Sequence, residues 1–197
     1  NDIGMVAWQV TLKTPEYPSG RHFVLISNDI TVAAGSFGTR EDILFKLASE
    51  YARKQKFPRL YIAANSGARI GMAEGVKGKF KVEFKDPEKP EAGFKHLFLE
   101  NKDYDALSEV VNVSEEAGQK KLTTVIGTEN DLGVENLKGS GLIAGETSKA
   151  YDEVFTLTVV LGRSVGIGAY LVRLGQRTIQ KKSSSPIILT GYQALNK

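Results

Sequence analysis

The stretch Phe155-Thr-Leu-Thr-Val-Val-Leu-Gly-Arg-Ser-Val-Gly-Ile-Gly-Ala-Tyr-Leu-Val-Arg-Leu174 decides the fold. Its first seven residues are apolar or β-branched, which predicts a buried strand over 155–161. A turn of small residues follows, and residues 164–174 are typical of a helix. The sequence therefore predicts a strand, a glycine-rich turn and a helix in immediate succession.

The same succession occurs twice more along the chain. Leu60–Ala64 is a short apolar strand that runs into the small-residue turn 65–71 and a short helix. Residues 186–190 form a last strand before a helix that begins at Ala194. Repeated strand, turn and helix predict an α/β domain in which helices cover the sheets. Hairpins between these units favour a superhelix of β-β-α turns over a plain doubly wound sheet.

The rest of the chain also alternates between strands and helices. Met5–Thr14 alternates apolar and polar side chains, as a half-buried strand does. Thr39 and Asp42 resemble a capping box before apolar residues at helical spacing, so we expect a helix to about Lys56. The other predicted elements are a turn at 15–20, a strand at 22–34, a hairpin of 79–84 with 94–99, a helix at 102–111, a polar loop at 114–120, a strand at 122–126, a Gly-rich segment at 133–145 and a helix at 147–152.

The turn at 163–170 offers backbone chemistry. A helix that begins directly after a strand points unpaired N–H groups at one place, where a phosphate or a developing oxyanion can bind. Gly166 and Gly168 allow close approach because they have no Cβ. Arg163 stands directly before the turn, where a guanidinium can bind a carboxylate through two hydrogen bonds.

These features have plainer explanations too. Small residues at a strand–helix junction often serve only close packing, and an arginine at a strand end can be exposed without a ligand. Leu171 occupies the last position of a Gly-x-Gly-x-x-Gly pattern, so the dinucleotide-binding fingerprint is incomplete. From the pattern alone, binding and packing both stay open.

Composition narrows the chemistry that the chain can perform. Its 197 residues, 41% hydrophobic and 25% charged, are typical of a globular domain. Cysteine is absent, which removes disulfides and thiolate nucleophiles. His22 and His96 lie in contexts typical of structural residues, and no zinc-type spacing or Gly-x-Ser-x-Gly elbow occurs. We therefore expect chemistry without a side-chain nucleophile, a histidine base or a metal.

The charge and the chain ends add further expectations. The net charge of +3 is mild and its residues are dispersed, which predicts no nucleic-acid surface but leaves room for a groove that binds a phosphorylated small ligand. No apolar run approaches the roughly 20 residues that cross a bilayer. Asn1-Asp-Ile-Gly4 resembles no signal peptide, and we expect the chain to be cut from a longer protein.

Several collinear motifs resemble one protein family. The longest are Ala64-Asn-Ser-Gly-Ala-Arg-Ile-Gly-Met-Ala-Glu74, Gly139-Ser-Gly-Leu-Ile-Ala-Gly145 and Arg163-Ser-Val-Gly-Ile-Gly-Ala-Tyr-Leu-Val-Arg-Leu-Gly-Gln-Arg177, with shorter matches at 1–8, 14–18, 28–31, 35–38 and 188–191. They resemble the N-terminal, crotonase-like half of the carboxyltransferase region in eukaryotic multidomain acetyl-CoA carboxylases. The resemblance spans nearly the whole chain and weakens at about 76–130. It implies that residues 1–197 form one N-terminal crotonase-like subdomain, an α/β superhelix of β-β-α units whose C-terminal half lies elsewhere.

The resemblance implies a biotin-dependent step of fatty acid synthesis, in which a carboxyl group passes from carboxybiotin to acetyl-CoA to give malonyl-CoA. No protein nucleophile is required, because backbone amides stabilise the enolates. By motif, Gly166 matches an oxyanion donor and Arg163 matches an arginine near the substrate carboxylate and CoA. The cofactor-binding positions are matched by Ala68 and Arg69 at the CoA adenine region and by Leu137, Ser140 and Tyr170 in the wall of the biotin pocket.

Partners and cofactors follow from the same resemblance. Acetyl-CoA and malonyl-CoA are the implied substrates, and biotin is carried on a separate carrier domain. The C-terminal carboxyltransferase half completes the site from the partner subunit of a homodimer, so we expect the isolated chain to be inactive. The implied compartment is the cytoplasm, with a plastid as the alternative, and neither a metal, a nucleic acid nor a membrane span is expected.

The chain departs from the family pattern in a few places. Ala33-Ala34 stands where relatives carry Lys or Arg, which predicts the loss of a contact to the CoA phosphates and weaker binding. Lys138 and Gly162 stand where Arg and Cys are common. The alternative function is therefore a non-catalytic CoA-binding or scaffold domain of the same fold. A hydratase or thioesterase of the crotonase superfamily ranks last, because no acid is placed beside Gly166.

Overall fold

The computed structural model describes residues 3–73, 75–128 and 132–191. Two compact units make up the chain, one formed by Asn1–Arg69 with Leu137–Lys197 and the other by Ile70–Asn136. The strands are β1 (Met5–Thr14), β2 (Tyr17–Asn28), β3 (Arg59–Ala63), β4 (Lys81–Phe84), β5 (Phe94–Leu99), β6 (Val111–Glu116), β7 (Gln119–Val125), β8 (Thr156–Val160), β9 (Ser164–Val165), β10 (Arg177–Gln180) and β11 (Ile187–Ile188). The helices are α1 (Thr39–Gln55), α2 (Asn101–Leu107), α3 (Leu137–Glu153) and α4 (Ile167–Leu174). The predicted α/β class is confirmed, whereas a single subdomain over 1–197 stays a prediction.

The first unit is built on a five-stranded sheet with the order β1-β2-β3-β8-β10. β1 and β2 form an antiparallel hairpin, while β2, β3, β8 and β10 run parallel to one another. Ile26, Tyr61 and Thr158 lie side by side across the three central strands. Because parallel strands end at the same edge, the turns that follow β3 and β8 are neighbours.

One face of this sheet carries the core of the first unit. Alternate residues of β3 and β8 are buried there, as the two-residue period of a strand requires. The ring of Phe45 in α1 meets that of Tyr61 edge to face, with the ring centroids 5.4 Å apart. The buried apolar residues of this core are Met5, Val24, Ile26, Phe37, Phe45, Ala52, Tyr61, Ala63, Ile143, Val160, Leu171 and Val172.

Helix α1 is confirmed, but the predicted capping box is wrong. Gly38 is the N-cap, and its N–H donates to the carboxylate of Glu41 at 2.9 Å. Thr39 is already helical, so Asp42 is one position too far along the helix to close a box. The helix ends where Lys56 adopts a left-handed conformation with φ of 57°.

Helix α3 replaces the predicted Gly-rich segment and absorbs the short helix predicted at 147–152. It begins at Leu137 and runs through three glycines. Its buried residues recur at the spacing of one helix face, namely Ser140, Ile143, Glu146, Thr147 and Ala150. The glycines conceal this period, because each disfavours a helix by about 1 kcal/mol relative to alanine.

Other boundaries in the first unit also differ from the prediction. The turn predicted at 15–20 is confined to Pro15 and Glu16, and β2 ends at Asn28 instead of continuing to residue 34. α4 begins at Ile167, after the two-residue strand β9, and β11 covers only two of the residues predicted at 186–190. β10 has no counterpart in the prediction because all its residues are exposed and give no buried stripe. The helix predicted from Ala194 lies outside the described residues.

The second unit is a four-stranded antiparallel sheet with the order β4-β5-β7-β6, together with α2. The predicted hairpin of β4 and β5 is confirmed, but the polar loop at 114–120 is wrong. β6 and β7 form a hairpin there, and the turn residues Ala117 and Gly118 have φ of 51° and 78°, as in a type I′ turn. Residues 75–79 form turns instead of the short helix predicted after residue 71, and α2 ends at Leu107. The buried apolar residues of this unit are Ala73, Val76, Leu99, Leu107 and Val111.

Candidate functional site

The two small-residue turns lie side by side at one edge of the five-stranded sheet. The first follows β3 and the second follows β8, and the two strands pair in register from Arg59–Thr156 to Ala63–Val160. The carboxyl ends of parallel strands are where open α/β sheets bind their ligands. The structure thus brings residues 65–69 of the first predicted turn together with the segment 163–170.

Asn65 joins the two turns. Its backbone N–H donates to the carbonyl of Arg163 at 2.7 Å. Its side-chain Oδ1 accepts the N–H of Gly67 at 3.2 Å and that of Val165 at 3.1 Å. The residue is only 1% exposed. Gly67 packs so closely on Val165 that a Cβ there would lie 3.0 Å from the Val165 carbonyl oxygen. The two turns are therefore one hydrogen-bonded structure.

Gly166 turns the chain from β9 into α4. Its φ of 55° and ψ of −118° are those of the first central residue of a type II′ turn, a conformation that favours glycine. Its N–H donates to the carbonyl of Ile188 at 3.0 Å, and its carbonyl accepts the N–H of Tyr170 at 3.1 Å. The N–H of the predicted oxyanion donor is thus hydrogen-bonded within the chain.

The following N–H groups at the start of α4 have no hydrogen-bond acceptor among the described residues. Ile167, Gly168 and Ala169 occupy the first three helical positions, where no intrahelical acceptor exists. Nor does any other backbone or side-chain acceptor approach them within residues 3–73, 75–128 and 132–191. The helix dipole adds partial positive charge at the same place, so this end of α4 suits an anionic oxygen.

A cavity of about 430 Å³ opens at the same edge of the sheet. Its lining residues are Ile30, Ala34, Ala64, Asn65, Leu161, Gly162 and Arg163. Arg163 is exposed and supplies the charge of this lining, and its guanidinium has no acidic partner in the described part of the chain. It is therefore free to bind an anionic ligand.

The backbone beside this cavity is strained. Ala33, Ala34 and Gly35 have φ of 44°, 54° and 69°, respectively. Left-handed backbone costs a residue with a Cβ roughly 1–2 kcal/mol. Gly35 is required, because a Cβ there would lie 2.4 Å from the carbonyl oxygen of Ala64. Such strain is concentrated at functional sites, and here it places the small side chain of Ala34 in the lining.

Ala68 and Arg69 attach the first turn to the loop before α1. Ala68 pairs with Phe37 in a parallel bridge, and the N–H of Arg69 donates to the Phe37 carbonyl at 2.7 Å. The Arg69 guanidinium donates to Ser36 Oγ at 3.0 Å and lies 3.5 Å from Glu41 Oε1. Because Glu41 is 1% exposed, this ion pair is partly buried. The charge of Arg69 thus has a structural partner, and Ala68 is half-buried.

The three residues predicted for a pocket wall lie on two helices that pack against each other. Leu137 and Ser140 are in the first turn of α3, and Tyr170 is in α4. Leu137 and Tyr170 are exposed, whereas Ser140 is buried and its Oγ lacks a hydrogen-bond partner among the described residues. The lining of the cavity at Arg163 does not include these three residues.

Asp42 of α1 is buried against this first turn of α3. It is 1% exposed, and neither carboxylate oxygen has a hydrogen-bond partner within the ranges that the structure describes. A Cβ on Gly139 would lie 2.2 Å from Asp42 Oδ2, so a larger residue at position 139 would force the Asp42 side chain to shift. Burial, and to a smaller extent the charge of Glu41, raises the pKa of Asp42 to about 7.

Sequence reasoning missed the anchoring role of Asn65 and the two residues behind it. The Tyr61 hydroxyl donates to Asn28 Oδ1 at 2.6 Å, and Asn65 Nδ2 donates to the Tyr61 hydroxyl at 3.3 Å. All three residues are buried. The signal that could have found them is an asparagine at the end of an apolar strand, because Asn28 ends β2 and Asn65 closely follows β3.

Both histidines make structural contacts. His22 Nδ1 lies 2.8 Å from Thr11 Oγ1 and its ring packs on Phe57, while His96 Nε2 lies 3.0 Å from Gln119 Oε1. In the described ranges, no three His, Asp or Glu side chains are grouped so that they could hold a metal ion. None of the helices in those ranges is both long and apolar enough to cross a membrane.

Comparison with known proteins finds relatives that align with the whole chain. Residues 15–197 match the family model described as the carboxyl transferase domain. The chain is 60% identical to an acetyl-CoA carboxylase of Dictyostelium discoideum and 53% identical to one of Saccharomyces cerevisiae. It is 52% identical to acetyl-CoA carboxylase 1 of Oryza sativa subsp. japonica. Each alignment covers 100% of this chain and 9% of the relative, so the chain spans less than a tenth of the length of these curated relatives.

Proposed function

Because the chain belongs to the carboxyl transferase domain family, we propose that it supplies half of a biotin-dependent acetyl-CoA carboxyltransferase site. The proposed reaction moves the carboxyl group of carboxybiotin to acetyl-CoA and yields malonyl-CoA for fatty acid synthesis. The observation that carries the proposal is the edge of the sheet where Arg163 lines a cavity and the start of α4 presents unpaired N–H groups. Such a site can bind an anionic acyl thioester without a side-chain nucleophile.

For the fold we propose a crotonase-like superhelix of β-β-α units, in which residues 1–197 are the N-terminal subdomain. Two successions of elements support it. The hairpin of β1 and β2 leads to α1, and the strands β8 and β9 lead to α4. Each succession ends in a helix that packs into the same core, through Phe45 in α1 and Leu171 in α4.

The chain stabilises the negative charge that develops on the thioester oxygen of the acceptor. Carboxybiotin, when bound, supplies the carboxyl group. The N–H of Gly166 donates to the carbonyl of Ile188. We therefore assign the role of oxyanion donors to the N–H groups of Ile167 and Gly168. Gly166 forms the turn that leads into them. Removal of one such donor costs about 10²–10³ in kcat where it has been measured. The dipole of α4 acts in the same direction.

Arg163 binds the acid end of the substrate in this proposal. Its guanidinium is exposed and lines the cavity, where a carboxylate of malonyl-CoA or a phosphate of CoA could accept two hydrogen bonds from it. The apolar side chains of Ile30 and Leu161 line the same cavity. Substrates that carry a free carboxylate are therefore expected to depend on Arg163 most.

We propose that the remaining motif residues shape the two ends of the substrate site. The CoA adenine region lies at Ala68 and Arg69, where Arg69 acts by holding the loop at 36–38, because its guanidinium already contacts Ser36 and Glu41. Leu137 and Tyr170 offer exposed apolar surface on two packed helices, which suits the ring system of biotin. Ser140 is buried and supports that wall from behind.

The proposed partners are a C-terminal carboxyltransferase half, a biotin carrier domain and a second subunit in a homodimer. This chain corresponds to 9% of the length of its relatives, which supports the proposal that the site is completed by domains other than this one. The exposed side chains of Leu137 and Tyr170 form the surface where the C-terminal half and biotin would bind. The cytoplasm, with a plastid as the alternative, stays the proposed compartment.

A second candidate is a non-catalytic CoA-binding or scaffold domain of the same fold. Ala34 favours it, because this side chain brings no charge to the cavity in the segment where the family pattern has a basic residue. Calorimetric titration of the full-length protein with malonyl-CoA, joined to an assay of its decarboxylation, separates the two candidates. Binding with turnover supports the enzyme, and binding without turnover supports the scaffold.

A further inference from the structure

We propose that Asn65 is a positioning residue for the carboxyl transfer. Its side-chain amide fixes the backbone of the turn 163–168, so that the N–H groups at the start of α4 are in place before the substrate binds. This inference rests on the proposed function and gives a role to a residue for which the family resemblance implies none.

The carboxamide of Asn65 uses its whole hydrogen-bonding capacity. Oδ1 accepts the N–H groups of Gly67 and Val165, at 3.2 Å and 3.1 Å. Nδ2 donates to the Tyr61 hydroxyl at 3.3 Å and to Ser164 Oγ at 3.5 Å. An asparagine side chain has two acceptor sites and two donor hydrogens, and all four are engaged here. The Asn65 carboxamide therefore holds both Ser164 and Val165, which lie at the beginning of the second turn.

No other side chain of this size satisfies these partners. The Tyr61 hydroxyl already donates to Asn28 Oδ1 at 2.6 Å, so toward position 65 it can only accept. Gly67 and Val165 present N–H groups, so toward them position 65 must accept. Aspartate lacks the donors and would place a charge at a position that is 1% exposed. Alanine leaves one buried and one partly buried N–H group, those of Gly67 and Val165, without an acceptor.

Asn65 also sets the distance of α4 by packing. A Cβ on Gly168 would lie 2.0 Å from Oδ1 and 2.4 Å from Cγ and Nδ2 of Asn65. The face of the carboxamide therefore rests on the Cα of Gly168, in the first turn of the helix. Asn65 thus contacts residues on both sides of Gly166, because it accepts the N–H of Val165 and packs on Gly168. A change at Asn65 is thus transmitted to the donors that follow Gly166.

Catalysis depends on this placement more than substrate binding does. Oxyanion donors lower the barrier only when they are fixed where the charge develops, and a misplacement of about 1 Å can cost 10²-fold in rate. Binding of CoA, by contrast, draws on the Arg163 guanidinium, which forms no hydrogen bond with the Asn65 carboxamide among the described residues. The expected signature of a change at Asn65 is a lower kcat with little change in KM.

The test compares Asn65→Ala and Asn65→Asp in the full-length protein, with Asn112→Ala, at an exposed residue of β6, as the matched control. We expect Asn65→Ala to lower kcat for malonyl-CoA decarboxylation about 100-fold, with KM changed less than about threefold, which is within 1 kcal/mol of binding free energy. Hydrogen exchange of the peptide 163–170 should accelerate, and the control should match the wild type. A folded Asn65→Ala variant with wild-type kcat would overturn the inference.

A paired variant distinguishes positioning from mere packing. Gly168→Ala should lower the melting temperature, because its methyl group meets the Asn65 carboxamide. In Asn65→Ala/Gly168→Ala the methyl group enters the vacated space, so thermal stability should partly return. The kcat should stay low, because the N–H groups of Gly67 and Val165 still lack their acceptor. Recovery of stability and kcat together would show a structural role only and contradict positioning.

The same measurements distinguish a failure of the proposed function from a failure of the role proposed for Asn65. If the wild-type protein does not decarboxylate malonyl-CoA, the carboxyltransferase proposal fails, and exchange at the Val165 and Gly67 amides still tests the role of Asn65. Unchanged protection of these amides in Asn65→Ala would then overturn it. Loss of protection would support the control of the turn by Asn65 without the proposed reaction.

Discussion

The carboxylate of Asp42 lies against the Cα of Gly139, so that a Cβ at position 139 would be 2.2 Å from Asp42 Oδ2. This contact joins α1 to the first turn of α3, which also carries Leu137 and Ser140. Both oxygens of Asp42 are buried and lack a hydrogen-bond partner in the portion of the chain that the structure describes. The proposed wall of the biotin pocket therefore packs against a carboxyl group that is costly to ionise, because it is buried without a hydrogen-bond partner.

Asp42→Asn should stabilise the protein, and more so at pH 8 than at pH 5. Burial raises the pKa of Asp42 to about 7 from its ordinary value of 3.8. The folded protein therefore holds a proton that the unfolded chain has lost, and stability falls as pH rises from about 4 to 7. Asparagine removes the charge, and we expect a gain of about 1–3 kcal/mol at pH 8 and a smaller gain at pH 5, because part of the fall in stability has already occurred by pH 5.

Thermal and urea unfolding at the two pH values measure this difference. Asp152→Asn is the control. Asp152 is exposed in α3, so its substitution should show no dependence on pH. An equal effect of Asp42→Asn at both pH values would mean that Asp42 stays charged in the folded protein.

Gly166→Ala and Gly141→Ala should change stability in opposite directions. Gly166 has φ of 55° and ψ of −118°, so alanine there costs about 1–3 kcal/mol, although its Cβ would find the nearest atom, the Leu189 carbonyl oxygen, at 3.7 Å. Gly141 lies inside α3 with no heavy atom within 4 Å of a Cβ, so alanine should stabilise by about 0.5–1 kcal/mol. Chemical denaturation gives both values. Equal signs for the two changes would contradict the backbone geometry at Gly166.

Ala33→Lys should strengthen binding of CoA thioesters. Position 33 is exposed beside the cavity and its φ of 44° is already left-handed, so lysine brings no new backbone strain. One added charge near the CoA phosphates should contribute about 0.5–1 kcal/mol, which is about a two- to fivefold lower Kd. Calorimetry at low and high salt measures the effect, which screening should weaken. Ser19→Lys, an exposed site in β2, adds the same charge elsewhere and should leave the Kd unchanged.

The sequence predicted those parts of the fold that local pattern controls. The apolar runs of β3 and β8 and the glycines after β8 predict a strand–turn–helix succession, and their parallel pairing places the two turns together. Failures occurred where pattern and packing disagree. The glycines of α3 conceal a buried face, and the segment 114–120, where β6 ends and β7 begins, resembles a loop because few of its residues are buried. The strand predicted at 122–126 is confirmed as part of β7.

The contacts that build the candidate site could not be predicted in this way. Asn65 and Val165 are 100 positions apart in the chain, and Asp42 and Gly139 are almost as distant, so no local period links them. The use of the Gly166 N–H by Ile188 depends equally on the pairing of β9 with β11. Roles of Gly166, Arg163, Ala68, Arg69, Leu137, Ser140 and Tyr170 toward CoA and biotin stay predictions.

The measurement that tests the central claim most directly is biotin-dependent decarboxylation of malonyl-CoA, in the presence and absence of a C-terminal carboxyltransferase half. We expect turnover only when both halves are present, and Arg163→Ala should reduce kcat/KM at least 100-fold, the effect of a lost charged hydrogen-bonding partner of about 3 kcal/mol. Arg177→Ala, at an exposed arginine in β10, should keep wild-type activity. Absence of turnover in the completed protein, or full activity of Arg163→Ala, would contradict the assignment of this chain as half of a carboxyltransferase site.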